Sequence, residues 1–311
     1  LKKKGNDIGV KLYGLSDWHK GSRINPLVEI IKKYSDELND FKIVLTVYDE
    51  QHSSGNKEYD KVFYSGPVFT VNYNKENVLN YGENFILIPD SYVLNKADYN
   101  KKISEVSKAN NIDNFDSKID KALFRGGANP GHWTKVNINT INDHPRLKIW
   151  LLSHLFPNDL DAKLVGGLPS AKSHNSAEAK IGQLYQDLMG DQNSAYVDLK
   201  EQLNYKYLIS LDGYGSSWSR PETYAFSDSL LLYQTKWVQW FQPSLQPFKH
   251  YLPLKDDLSD LLERIQWAKN HPEEVKEIIK NQNEVANKCL TAKKTEEQLL
   301  YILKKYGTLY K

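Results

Sequence analysis

The chain has 311 residues with 41 Lys and Arg against 39 Asp and Glu, a net charge of +2. That balance excludes bulk electrostatic capture of nucleic acid. Hydrophobic residues make up 40% and charged residues 26%, which excludes global disorder and leaves length for one large or two ordinary domains.

The first part reads as βαβ. Ile8 to Tyr13 is an expected strand, followed by a loop from Gly14 to Asn25 that holds Asp17, His19 and Arg23. Pro26 stands where a first-turn proline belongs, and Leu27, Ile30, Ile31 and Tyr34 repeat at helical spacing. Phe41 to Tyr48 (FKIVLTVY) is a nearly continuous apolar run, as expected of a strand covered on both faces. Short strands follow at Val68 to Val71 and Phe85 to Ile88, then a helix at Asp98 to Lys108. The polar stretch Asn110 to Lys118 marks the passage to a second part. There, strands at Lys121 to Phe124, Asp161 to Val165, Tyr207 to Leu211 and Ser229 to Tyr233 alternate with helices at Pro145 to His154 and Ala177 to Met189. Beyond Pro253 the chain turns helical. Asp256 or Asp257 is the expected cap of a helix with Leu258, Leu261, Leu262 and Ile265 on one face; His271-Pro272-Glu273-Glu274 opens the next. Thr295-Glu296-Glu297-Gln298 is the expected capping box of the last, which is expected to stop at Gly307.

Lys206 to Asn270 is the most informative stretch. The strand Tyr207 to Leu211 runs into Asp212, Gly213, Tyr214, Gly215, Ser216 and Ser217, then into a helix carrying Arg220. A small-residue loop between a strand and a helix presents free backbone N–H groups to an anion, and an arginine beyond it adds a fork of donors suited to phosphate. With His250 to Leu254 as a further strand, the unit reads as half of an open parallel sheet with a nucleotide-diphosphate site at its carboxyl ends.

DGYGSSWSR, its spacing to SDSLLL, and HYLPLKDDLSDLLERIQWAKNH resemble the carboxyl-terminal signature of one glycosyltransferase family. It includes the Rumi-like protein O-glucosyltransferases of the secretory pathway and the fungal capsule-associated xylosyltransferases, with plant and bacterial relatives. LFRGGANPG (Leu123 to Gly131) and HPRLKIWLLS (His144 to Ser153) match its FRG motif and the arginine that follows. The resemblance covers residues 120 to 285 well and the first hundred loosely. It implies the GT-B architecture: α/β, two Rossmann-like domains facing a cleft, with C-terminal helices. The expected bounds are 1–115 for an acceptor domain, 116–290 for a donor domain and 291–311 for a closing helix. The resemblance also implies donor contacts from Arg125, Gly126, Arg146, Asp212, Gly213, Gly215, Ser216, Ser217 and Arg220. Taken alone, Arg125 is an ordinary loop arginine, Arg146 equally suits a salt bridge, and Asp212 equally suits an Asx-type cap on its own loop. Trp237 and Trp240 read as packing.

Inverting transfer needs a base for the acceptor hydroxyl. Relatives carry an aspartate before a D-I-L-F-P-like strand; here ENFILIPDS puts Phe85 in its place, with Glu83 and Asp90 nearby. The loop after the first strand offers Asp17 and His19, and Asp49 in VYDEQ matches a D-E pair of fungal relatives. Asp17 ranks first, because a loop after a first strand opens onto the cleft. No metal is expected: the D-x-D at Asp159 and Asp161 lies at a helix-to-strand connection, and the histidines show no ligand spacing with a carboxylate.

The expected co-substrate is a UDP-sugar carrying glucose or xylose, with a glycan or glycolipid as acceptor and polysaccharide biosynthesis as setting. A catalytically inactive sugar-nucleotide-binding homologue is the alternative, and the absence of G-x-G-x-x-G counts against a dinucleotide enzyme. The single Cys289 excludes an internal disulfide or a cysteine-based zinc site, where secreted relatives are expected to hold several cysteines. No signal peptide is visible in a chain that opens on Leu1, as a trimmed sequence does, and no apolar run is long enough to span a bilayer. The expectation is a cytoplasmic, bacterial or viral protein with room for peripheral membrane contact.

Overall fold

The computed structural model describes residues 1–11, 20–46, 67–75, 85–110, 112–127, 144–165, 196–213 and 215–309. The expected helix at Ala177 to Met189 lies outside them.

The chain opens on a small antiparallel sheet of β1 (Lys2–Lys4), β2 (Asp7–Gly9) and, after helix α1 (Asn25–Lys33), β3 (Phe41–Lys42), in the order β2-β1-β3. Helix α1 carries Pro26 in its first turn and buries Leu27, Ile30 and Ile31, as its spacing foretold. The continuous run from Phe41 serves two sheets rather than one. At Ile43 it leaves β3, held by reciprocal backbone bonds of 2.9 Å with Leu1, and becomes β4 (Val44–Thr46). Strand β4 pairs in parallel with β5 (Val68–Thr70), which pairs in parallel with β7 (Phe85–Leu87). Between them β6 (Asn72–Asn74) turns away to a different partner. Helices α2 (Ser91–Leu94) and α3 (Lys96–Ala109) follow.

The second half is built on β8 (Ile119–Gly127), α4 (Pro145–Leu155), β9 (Leu160–Val165), α5 (Leu199–Gln202), β10 (Tyr205–Ser210), α6 (Arg220–Tyr224) and β11 (Leu230–Tyr233). Then come β12 (Trp237–Gln239), β13 (Leu252–Pro253), α7 (Leu261–Asn270), α8 (Pro272–Val285) and α9 (Ala292–Leu309). Five strands form an all-parallel sheet in the order β13-β11-β10-β8-β9. Such a sheet must be covered on both faces, which is why its central strands carry buried apolar runs such as Ala122 to Phe124, Tyr207 to Ile209 and Leu230 to Tyr233. Phe124, Ile209, Leu230 and Leu232 pack with α4, α7 and α8 on one face; Leu123, Leu208 and Leu231 pack with Tyr99 and Val106 of α3 on the other.

The last helix crosses back. Leu299 and Leu303 of α9, both at 0% exposure, sit in one apolar cluster with Leu27, Phe41, Phe69 and Ile88 of the first half. Three helix ends differ from the sequence expectation. Helix α7 starts only after Asp260, because Leu258 takes φ +55° and Asp257 Oδ1 accepts the Ser259 N–H in a turn. Helix α9 starts at Ala292, three residues before the expected box, with Thr291 Oγ1 accepting the Lys294 N–H. It also runs through Gly307, whose missing side chain makes room for Asn39: a Cβ there meets the Asn39 Cβ at 3.2 Å.

Because Leu303 fills the core of a distant part of the chain, Leu303→Ala is expected to cost about 2–5 kcal/mol. Urea unfolding should show a lower midpoint at unchanged slope; an unchanged midpoint removes α9 from that core.

Candidate functional site

In chain order the large sheet runs first through β8, sideways to β9, then back across β8 to β10. Strand order therefore reverses between β8 and β10, and in open α/β sheets the crevice outside the carboxyl ends at such a reversal receives ligands. Arg146, at the start of α4, fills this crevice. Its Nη1 donates to Gly127 O at the end of β8 (2.9 Å), and its Nε and Nη2 donate to Asp212 O and Leu211 O beyond β10 (2.8 and 3.3 Å). Arg146 thus ties the two strand ends together through their backbone carbonyls. Burial and the nearby positive charge of Arg220 lower its pKa to about 10, which still leaves it charged at neutral pH.

Arg220 enters the same crevice from α6. Its guanidinium lies 5.7 Å from the centroid of the Phe124 ring and that of Arg146 lies 6.0 Å from it, so one aromatic ring serves both cations. The Nη1 of Arg220 is buried and has no hydrogen-bond partner among the described residues. The unanswered Arg220 donor, beside a second arginine, suits an anionic ligand.

Asp212 lies beside them. Its Oδ2 accepts the Lys236 N–H (2.6 Å) and Gln234 Nε2 (3.4 Å), so it braces the turn after β11 instead of capping its own loop. Its Oδ1 is buried without a partner among the described residues. Burial outweighs these bonds and raises its pKa to about 7.

The small-residue loop is pinned from several sides. Gly213 N–H donates to Gly215 O (2.8 Å), the Ser210 and Ser217 hydroxyls bond at 2.6 Å, and Ser216 Oγ accepts Asn72 Nδ2 from the first half (2.9 Å). Trp218 takes φ +53°, a costly conformation for a bulky residue. Its packing holds it there: Arg23 stacks 4.5 Å from its ring and Tyr92 meets it edge-on at 5.4 Å. Strand β6 also pairs antiparallel with β12, Asn72 opposite Gln239 and Asn74 opposite Trp237. The carboxyl ends of both parallel sheets are thereby brought against each other.

Two expected donor residues have other duties. The sequence pattern leads one to expect Arg125 on a loop, but β8 runs on to Gly127 because Gly126 and Gly127 pair with Leu164 and Val165. Alternation then turns Arg125 to the face opposite Phe124. There it forms an ion pair with Asp161 (2.8 Å) and donates to the carbonyls of Phe124 and Asp161. Gly126 is a packing glycine, since a Cβ would meet Phe124 Cζ at 2.7 Å. Trp237 is buried and Trp240 packs as expected, its Nε1 donating to Glu222 Oε1 (3.1 Å).

Among the base candidates, Asp17, His19, Asp49 and Glu83 lie outside the described residues. Asp90 is the N-cap of α2, its Oδ1 accepting the N–H groups of Tyr92 and Val93. At 1% exposure it is a sealed helix cap rather than an open carboxylate, and burial raises its pKa to about 6. Phe85, where the resemblance leads one to expect an aspartate, opens β7 and stacks on Tyr73 at 5.9 Å. Glu222 escaped the sequence reading: fully buried and close enough to Asp90 to feel its charge, it is held well above the usual carboxylate range, chiefly by burial. The D-x-D acids are engaged elsewhere, Asp161 by Arg125 and the Tyr205 hydroxyl, Asp159 by Lys269 and Gln266.

The model of Glycosyl transferase family 90 matches residues 9–311. The chain belongs to this family. Among its relatives, protein O-glucosyltransferase 3 of Rattus norvegicus is 31% identical over 192 residues, 61% of this chain and 32% of that protein. Protein 179R of Invertebrate iridescent virus 6 is 29% identical over 197 residues, 59% of this chain and 16% of that protein. The chain thus spans less than a third of either relative's length. In fold it is similar to HepE of Anabaena, solved in complex with UDP and glucose, at a TM-score of 0.51 and 11% identity over 89% of this chain and 74% of that one. The architecture is GT-B, with parallel α/β sheets and C-terminal helices. No helix among the described residues is long and apolar enough to cross a membrane.

The raised pKa of Asp212 sets a pH dependence for this family member. Its folded form holds a proton more tightly than the unfolded chain does. The stabilisation is complete below pH 3.8, the ordinary value, and is lost as pH rises to about 7. Asp212→Asn should therefore gain melting temperature relative to the parent across that window and keep a constant difference above it. A parallel pair of melting curves across the range contradicts the assignment.

Proposed function

We propose that this chain is a glycosyltransferase that moves glucose, xylose or a related sugar from a UDP-sugar to a hydroxyl of a glycan or glycolipid, with inversion. The observation that carries this is the pair Arg146 and Arg220 on the Phe124 ring at the strand-order reversal, with Arg220 Nη1 and Asp212 Oδ1 lacking partners among the described residues. Family membership and the fold shared with a UDP-bound protein support it.

In this scheme the acceptor oxygen attacks the anomeric carbon as the bond to the diphosphate oxygen breaks. Negative charge builds on the leaving diphosphate, where Arg220 and the loop N–H groups stabilise it. Asp212 Oδ1 faces the donor as hydrogen-bond acceptor for a ribose or sugar hydroxyl. A base in the first half takes the acceptor's proton, with Asp17 ranked ahead of His19, Asp49 and Glu83. No group of three His, Cys, Asp or Glu gathers among the described residues, and both D-x-D acids hold cations or donors of the chain. In this scheme arginine takes the place of a divalent ion. The acceptor class suits a surface polysaccharide or lipid carrier in a cytoplasmic setting.

Calorimetry tests the donor site. Arg220→Ala should weaken UDP binding by about 1.5–3 kcal/mol, as for a lost charge-assisted bond. Unchanged affinity in a folded variant removes Arg220 from the site. Turnover tests the rest: Asp17→Asn should bind UDP normally and slow transfer about a hundredfold to ten-thousandfold, while the parent keeps its activity in EDTA. Near-normal turnover in that variant moves the base elsewhere, and activity restored only by manganese overturns the metal-free scheme.

A further inference from the structure

Asn72 belongs to the first half yet touches the loop that the second half offers to the nucleotide. It is fully buried, at 0% exposure, at the carboxyl end of the first parallel sheet. Its backbone is fixed twice: its carbonyl accepts the Thr70 hydroxyl (2.7 Å), and it stands opposite Gln239 in the β6–β12 ladder. Its side-chain Nδ2 donates to Ser216 Oγ at 2.9 Å across 144 residues of chain.

A serine hydroxyl has one hydrogen and two acceptor lone pairs. With a lone pair of Ser216 engaged by Asn72, the hydrogen must point elsewhere, and no acceptor receives it among the described residues. The Ser210 and Ser217 hydroxyls, by contrast, bond each other at 2.6 Å. Ser216 is 3% exposed and cannot turn to bulk water. We propose that Asn72 is a positioning residue that reaches across the cleft to orient the Ser216 hydroxyl as a donor to the diphosphate of the bound nucleotide. This rests on the donor site proposed above. It makes the phosphate loop competent only when the first half is seated against it, so that the halves share one binding site.

The test is calorimetry with UDP and with uridine on the parent, Asn72→Ala, Ser216→Ala and the double variant. Each single change should lower UDP affinity about five- to tenfold, with the double no weaker than the weaker single and uridine affinity unchanged. Asn72→Asp offers an acceptor in place of the donor and captures the Ser216 hydrogen, so it should weaken UDP at least as much as Ser216→Ala. If Asn72→Ala fails to fold, Asn72→Asp and Ser216→Ala carry the comparison. A parent that binds no UDP overturns the donor site and this role with it. A parent that binds UDP while folded Asn72 variants match it overturns the role of Asn72 alone. Losses that multiply in the double variant, or that fall equally on uridine, also overturn it.

Discussion

The antiparallel pairing of β6 with β12 is the constraint on which the rest of the molecule depends. Each half has a parallel sheet of its own, and a parallel sheet ends in carbonyls and loops with no intrinsic reason to face another. Three residues of β6 hydrogen-bonded to three of β12 fix the relation of the two carboxyl edges. With that relation set, Arg23 of the first half meets Trp218 of the second, and Trp218 is held at a φ that bulky residues avoid. The loop before it inherits its shape from both sides.

Electrostatics at the strand-order reversal follow from burial. Arg146 donates to the carbonyls at both strand ends, and beside it the buried Arg220 Nη1 has no hydrogen-bond partner among the described residues, a donor left for a ligand. Asp212 and Glu222 respond to the same dry surroundings in the opposite way, by tending to hold their protons. On the other face Arg125 forms a direct ion pair with Asp161.

Sequence made the second half legible because its strands are covered on both faces and its motif loop is short. Tyr207 to Leu211 and Ser229 to Tyr233 could hardly be anything but buried strands, and the observed β10 and β11 lie within a residue or two of them. What was illegible depended on partners far along the chain. Arg125 belongs to a strand because Leu164 and Val165 extend the ladder beside it, and that moved it from a loop to an ion pair. Glu222 sits in SRPETY, where nothing local foretells burial; Trp240, eighteen residues on, covers it. The Thr295 box obeyed a local pattern that the helix ignored by starting at Ala292. Asn72 carries no motif at all, and only its contact with Ser216 gives it significance.

The return of α9 to the first half has a consequence for biosynthesis. Phe41, Phe69 and Ile88 share their cluster with Leu299 and Leu303, so the upstream core stays incomplete on the ribosome until more than two hundred further residues have been added. At ordinary elongation rates that interval is roughly 10–40 s. The parallel sheet of the second half, whose strands all lie between Ile119 and Pro253, can assemble meanwhile. Over that interval the nascent chain carries an apolar surface that its own last helix later covers.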